Sequence, residues 1–233
     1  MERLFFRHSG PRAGRPLTTG YHQRFLLSNN GQAERCDKIS IMIAEEKKAK
    51  LRSLYESFDD AVAEFRKHAV CERGCNFCCT HMGNVDIVTL EGVMIFERLE
   101  GVEEDVRRKV AGRIMRNRTE KEEGQKPACP FQDDGGTCLI YEARPFSCRQ
   151  LYSLRKCDSG GPLVHKQAAG LSQVTVKEIQ RLDDTGYSGH ISFILHLLDL
   201  GEFKKTYLSG GFNPALIADF GKSHGIIINR FAK

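Results

Sequence analysis

Between Met42 and Val70, Leu51, Leu54, Tyr55, Phe58, Val62 and Phe65 recur at steps of three and four among charged residues. That spacing lines one face of an amphipathic helix, which delivers the chain to Cys71. Thr89 is placed to cap a second helix, running through Val93, Phe96 and Leu99 to a stop at Gly101. A third helix is predicted from Val102 to Arg118, where Val102, Val106, Val110 and Ile114 form one stripe and the charged remainder is a solvated face.

The texture changes between Pro127 and Leu151, where short apolar runs alternate with Pro and Gly. Asp133 to Gly136 lies between two such runs, so a tight hairpin-like turn should join Cys129 to Cys138. Pro145 suits the first turn of a short helix carrying Cys148 and Arg149. The C-terminal third turns helical again: Thr175 to Glu178 has capping-box spacing ahead of Ile179 and Leu182. Ile191 to Leu200 is apolar on most sides and therefore buried. Asn213 and Pro214 open a last helix that Gly225 closes. The expected fold is mainly α: a single helical domain over residues 42–233, with a central cysteine-rich irregular or hairpin segment forming a metal site. The motif core spans 71–150 and the helical C-terminal part 160–233.

Charge changes this picture little. The net charge is +5, but residues 1–41 hold seven Lys/Arg against three Asp/Glu, which leaves +1 for the remainder. A nearly neutral body gives no support for nucleic-acid binding. The longest apolar run, Ile191 to Leu198, is broken by Ser192 and His196 and falls short of the ~20 residues of a membrane span. Residues 1–41 have too short an apolar run for a secretory signal and read as a disordered tail, or as an upstream start with translation beginning at Met42. The expected location is cytoplasmic.

Nine cysteines change the picture most: Cys36, Cys71, Cys75, Cys78, Cys79, Cys129, Cys138, Cys148 and Cys157. An odd count, an adjacent pair and no visible export signal argue against a disulfide framework. Cys75 and Cys78 make a CxxC, yet no strand feeds it as in a thioredoxin-like redox centre. Clustered thiolates select zinc or iron-sulfur clusters. On one regular helix, the cysteines at 71, 75, 78 and 79 would stretch over about 12 Å of axis. Sulfurs on one tetrahedral zinc stand only ~3.8 Å apart, from Zn–S bonds of about 2.3 Å. Either Gly74 bends the segment into a knuckle, or Cys129, Cys138 and Cys148 complete the site from elsewhere. The need for two segments to close one site predicts that Cys75, Cys78, Cys129 and Cys148 include ligands of one centre. Seven thiols exceed the four ligands of a single zinc or cubane, so two sites, or one site with spare thiols, both stay open.

CERGCNFCC followed by CPFQDDGGTCLIYEARPFSCR resembles the YkgJ-type cysteine-cluster family of zinc- or iron-chelating proteins. The blocks are Cys71, Cys75, Cys78 and Cys79; then Cys129-Pro130-Phe131; then Cys138 with Tyr141, Arg144, Pro145, Cys148 and Arg149. The resemblance implies chelation of zinc or iron, including a [4Fe-4S] cluster, by Cys71, Cys75, Cys78, Cys79, Cys129, Cys138 and Cys148. Some members, the flagellin lysine N-methylases, modify a protein side chain with S-adenosylmethionine, so an iron-sulfur enzyme acting on a protein or small molecule is one alternative. A zinc-stapled interaction module is another. Spacing alone supplies no catalytic fold.

The remaining candidates rank lower. His81 is read as a non-ligand near the site, and Tyr141 as a core residue. Arg144 and Arg149 are candidates to balance thiolate charge. Cys157 reads as a free structural thiol outside the motif and Cys36 as irrelevant. Asp183 and Asp184 read as a helix end; neither they nor His190 and His196 are assigned chemistry.

Overall fold

The computed structural model describes residues 38–72, 74–157 and 160–232. Most of the expected tail, with Cys36, lies outside them. Helix α1 spans Lys38–Arg66, beginning before the anticipated Met42. It buries Leu51, Tyr55, Phe58 and Val62, the stripe set by its periodicity, against α6 (Lys166–Leu182) and its neighbours. Lys48 is buried on α1, where its ammonium meets Glu45 and, at 2.6 Å, Glu97.

After a loop and the single turn α2 (Phe77–His81), strand β1 (Asp86–Val88) runs directly into α3 (Thr89–Glu100). Glu104–Glu122 forms α4. The helix starts after the predicted Val102, but the stripe holds: Val110 and Ile114 are buried, with Val102 and Val106 packed against the same cluster. Phe146–Arg149 is the short helix α5 behind Pro145. Helix α6 begins at Lys166, with His165 Nδ1 accepting from Gln167 N–H. Thr175 is therefore no cap: it lies mid-helix, its hydroxyl donating to the Leu171 carbonyl.

Strand β2 (Tyr187–His190) feeds α7 (Ile191–Asp199), followed by α8 (Gly201–Leu208), α9 (Ala218–Ser223) and β3 (Ile227–Ile228). The strands form one antiparallel sheet in the order β1-β2-β3, with Ile87 opposite Gly189 and Ser188 opposite Ile227. Sequence pattern predicted none of these strands. The fold remains mainly α, the sheet holding three short strands.

Helix α7 is apolar nearly all round because it is covered nearly all round. Ile191, Ile194, Leu195, Leu197 and Leu198 form the centre of one apolar cluster with α3, α4 and α8. Gly92 on α3 permits that approach, since a Cβ there would lie 2.6 Å from Leu198 Cδ1. Thr89, expected as a cap, is instead the first residue of α3; its hydroxyl donates to the Tyr187 carbonyl and accepts from Tyr187 N–H at 3.0 Å. Among the described residues no helix is long and apolar enough to cross a membrane.

Candidate metal centre

Three backbone arms carry the cysteines to one side of this scaffold. In the first, Val70 N–H donates to Ser153 O at 2.8 Å, and Cys75 N–H closes a turn on Glu72 O at 3.0 Å. Gly74, at φ +95°, makes the bend that an L side chain resists. The segment is thus a knuckle followed by a helical turn, not one helix.

In the second arm, Cys129 N–H donates to Cys79 O at 2.7 Å, joining the two motif blocks through their backbones. Cys129 and Cys138 then each start the same kind of turn. Backbone N–H groups two residues downstream, those of Phe131 and Ile140, favour the ionised forms of the Cys129 and Cys138 thiols. One residue further on, Gln132 and Tyr141 N–H donate to the carbonyls of Cys129 and Cys138. The predicted hairpin joins the two turns: Gln132 bridges Cys138, Leu139 N–H donates to Phe131 O at 2.9 Å, and Asp133 Oδ1 accepts from Gly135 and Thr137 N–H.

The third arm is α5. Phe146 is buried among Tyr55 and Phe58, 4.8 Å from the Phe58 ring and edge-on to it. That anchor fixes Cys148 two residues later.

The thiols sort into two adjoining groups. Cys79, Cys129, Cys138 and Cys148 influence one another: Cys79 and Cys129 are paired, and charge on Cys79 disfavours ionisation of both Cys138 and Cys148. Cys71, Cys75, Cys78 and Cys157 form the other group, which meets the first through the adjacent pair Cys78 and Cys79. Cys129 and Cys148 belong to one group, and Cys78 is influenced by Cys79 as well as by Cys71, Cys75 and Cys157.

Burial governs the protonation of the thiols. It pushes Cys148 up to about 12 and Cys78 to about 11, with neighbouring sulfurs adding repulsion. Cys138 is raised for the same reasons, and Cys129 because it is the donor to Cys79. Cys79, accepting that hydrogen bond, is lowered. Among the described residues no three His, Cys, Asp or Glu side chains meet at metal-ligand spacing. Sulfurs drawn to ~3.8 Å as thiolates repel unless a cation lies between them.

Residues 70–185 match the model of the CxxCxxCC family, described as a putative zinc- or iron-chelating domain. Through this segment the chain belongs to that family. Neither a curated protein nor a solved structure gives a significant match.

The donor chemistry of this CxxCxxCC domain fits a thiophilic metal. All eight cysteines among the described residues are free thiols. Backbone N–H groups favour the ionised form a metal requires at three of them, Cys71, Cys129 and Cys138. Arg144 adds the charge: it lowers the cost of ionising Cys138 and Cys148, and its Nε is buried without a hydrogen-bond partner among the described residues.

Arg149 acts differently from Arg144, holding the loop by donating to the carbonyls of Arg144 and Glu142 and lying 4.5 Å over the Tyr55 ring. Tyr141 is no core residue: it is 52% exposed, with Arg144 stacked on it at 4.3 Å. His81 turns onto its own helix, where Nδ1 contacts Thr80 Oγ1 and the Phe77 carbonyl and the ring stacks on Phe77.

Sequence reasoning passed over two carboxylates in this frame. Fully buried Glu91 accepts from Tyr55 OH at 2.6 Å, Phe146 N–H at 2.7 Å and Val88 N–H at 2.9 Å. Buried Asp183 accepts from Leu90 N–H at 3.0 Å and Tyr207 OH at 2.7 Å; burial raises it to about 7. Glu91 reaches back to Val88 N–H, but Val88 has no side-chain oxygen to complete a capping box, so no local signal marked it. Asp183 reads only as a helix end.

Proposed function

We propose that this protein is a cytoplasmic metalloprotein that holds zinc or an iron-sulfur cluster through clustered thiolates, drawn from Cys71, Cys75, Cys78, Cys79, Cys129, Cys138 and Cys148. The observation that carries the reading is the joining of the motif blocks through their backbones: Cys129 N–H donates to Cys79 O at 2.7 Å, and matching turns at Cys129 and Cys138 are bridged through Gln132. Cys79, Cys129, Cys138 and Cys148 supply four sulfurs, enough to fill the coordination of one zinc or one cubane. Saturation by protein suits a structural or electron-handling role over catalysis at an open metal position. When bound, such a centre supplies a cross-link between arms or, as a cluster, a one-electron carrier. The chain's own part is to present sulfur, donate N–H to it and place Arg144 beside it.

Anaerobic purification followed by metal and sulfide analysis tests the reading. Brown protein containing iron and sulfide assigns a cluster, and colourless protein with stoichiometric zinc assigns a staple. Protein that retains neither metal and takes up neither on reconstitution would overturn the proposal.

A further inference from the structure

Helix α6 carries a second stripe beside its buried one. Ala168, Ser172, Thr175 and Ile179 face inward, while Ala169, Gln173, Val176 and Gln180, at steps of three and four, border an open groove of about 550 Å³. From 169 to 180 the helix rises about 16 Å, the length of about five extended residues. Leu151 and Val164 come to the groove from the chain between α5 and α6. Its floor is apolar and rooted in the core, since Val164 and Val176 pack against the cluster between α1 and α6.

The polar groups along this floor are amides and one cation. Gln150 and Gln173 make no side-chain hydrogen bond among the described residues, and Gln180 commits only Nε2, to Ser188 Oγ at 3.2 Å. Lys177 is the one charged residue of the lining, and no carboxylate among the described residues pairs with it. By contrast Lys47, Lys48 and Lys50 on α1 meet carboxylates at 2.9, 2.6 and 2.7 Å. Side-chain amides offer a donor and an acceptor together, which is what a peptide main chain needs from its neighbours. The apolar floor suits alternate side chains of such a strand, and Lys177 suits a carboxylate. An alkyl chain would cover the floor but leave the amides without partners.

We propose that this groove binds an extended segment of a partner protein, with apolar side chains on Leu151, Val164 and Val176 and an acidic side chain on Lys177. The site stands apart from chelation, although Gln150 and Leu151 directly follow α5 and so place the bound segment beside the arm that carries Cys148.

Selection of a displayed library of random seven-residue peptides on the immobilised full chain tests it, with A169W, which fills the groove from an exposed position, and K177E as comparators. The wild type should enrich peptides with Asp or Glu between apolar residues, A169W none of them, and K177E peptides with Lys or Arg in the acidic place. By fluorescence anisotropy a recovered acidic peptide should bind K177E roughly 3- to 10-fold more weakly than the wild type. That exchange of charge preference is not expected of a structural lysine, and it keeps the test readable if A169W fails to fold. No enrichment over background, or enrichment without acidic preference that K177E leaves unchanged, would overturn the site. So would dimerisation of the wild type that A169W abolishes, which assigns the groove to a second copy, or selection only by a chain begun at Met42, which assigns it to the protein's own N-terminal segment. Metal content measured on the same preparations reports separately on the chelation reading.

Discussion

Arg144 and Arg149 flank Cys148 and have the same formal charge, yet their environments give them separate work. Arg149 spends its donors on backbone carbonyls and its face on Tyr55, so it shapes the loop. Arg144 is directed at Cys138 and Cys148, whose ionised forms it favours. R144Q is expected to weaken zinc binding by roughly 10- to 100-fold, the usual effect of removing a group that supports a ligand, while R144K keeps most of the affinity. Chelator competition measures this, and unchanged affinity in R144Q would place its charge outside the site. The motif made both arginines visible in the sequence; their division of labour depends on which groups the loop brings beneath each one.

At the scale of elements, Glu91 fastens three pieces together: Tyr55 on α1, the Val88 entry to α3 and the Phe146 start of α5. Removing a fully buried acceptor of three hydrogen bonds leaves Phe146 N–H without a partner. E91A should therefore cost about 2–4 kcal/mol, and E91Q less, because an amide oxygen still accepts. Urea denaturation of the metal-loaded forms decides it; a loss below about 0.5 kcal/mol in E91A would mean that water or rearrangement replaces the carboxylate. The helices around this anchor were legible because their apolar positions repeat: the stripe of α1 and the all-apolar face of α7 are buried as their spacing predicts. The sheet was not. Strands of two to four residues, one of them Tyr-Ser-Gly-His, are too short and too mixed to show an alternation. Their pairing is set by Thr89 and the helices that follow them. The apparent capping box at Thr175 failed because His165 had already started that helix.

Taken as a whole, the molecule separates what holds the scaffold from what holds the thiols. Two apolar clusters, one around α7 and one between α1 and α6, make up the core, and of the cysteines only Cys129 and Cys138 pack against them, at the edge of the first. Helix α2, by contrast, buries no residue. Its position rests on backbone contacts such as Cys129 N–H to Cys79 O, and on whatever the sulfurs bind. Because burial keeps Cys148 and Cys78 protonated near neutral pH, the metal-free form is spared the repulsion of packed thiolates. Stripping metal from the reduced protein should therefore leave most of the helical circular dichroism in place, unlike a zinc finger that unfolds when its ion is removed. Hydrogen exchange should rise in residues 70–85 and 127–157, and stability should fall by an amount that depends on free metal, about 2.7 kcal/mol at a hundredfold excess over Kd for one site. Global loss of the helical signal on chelation would show instead that the two apolar clusters cannot hold the fold without the metal.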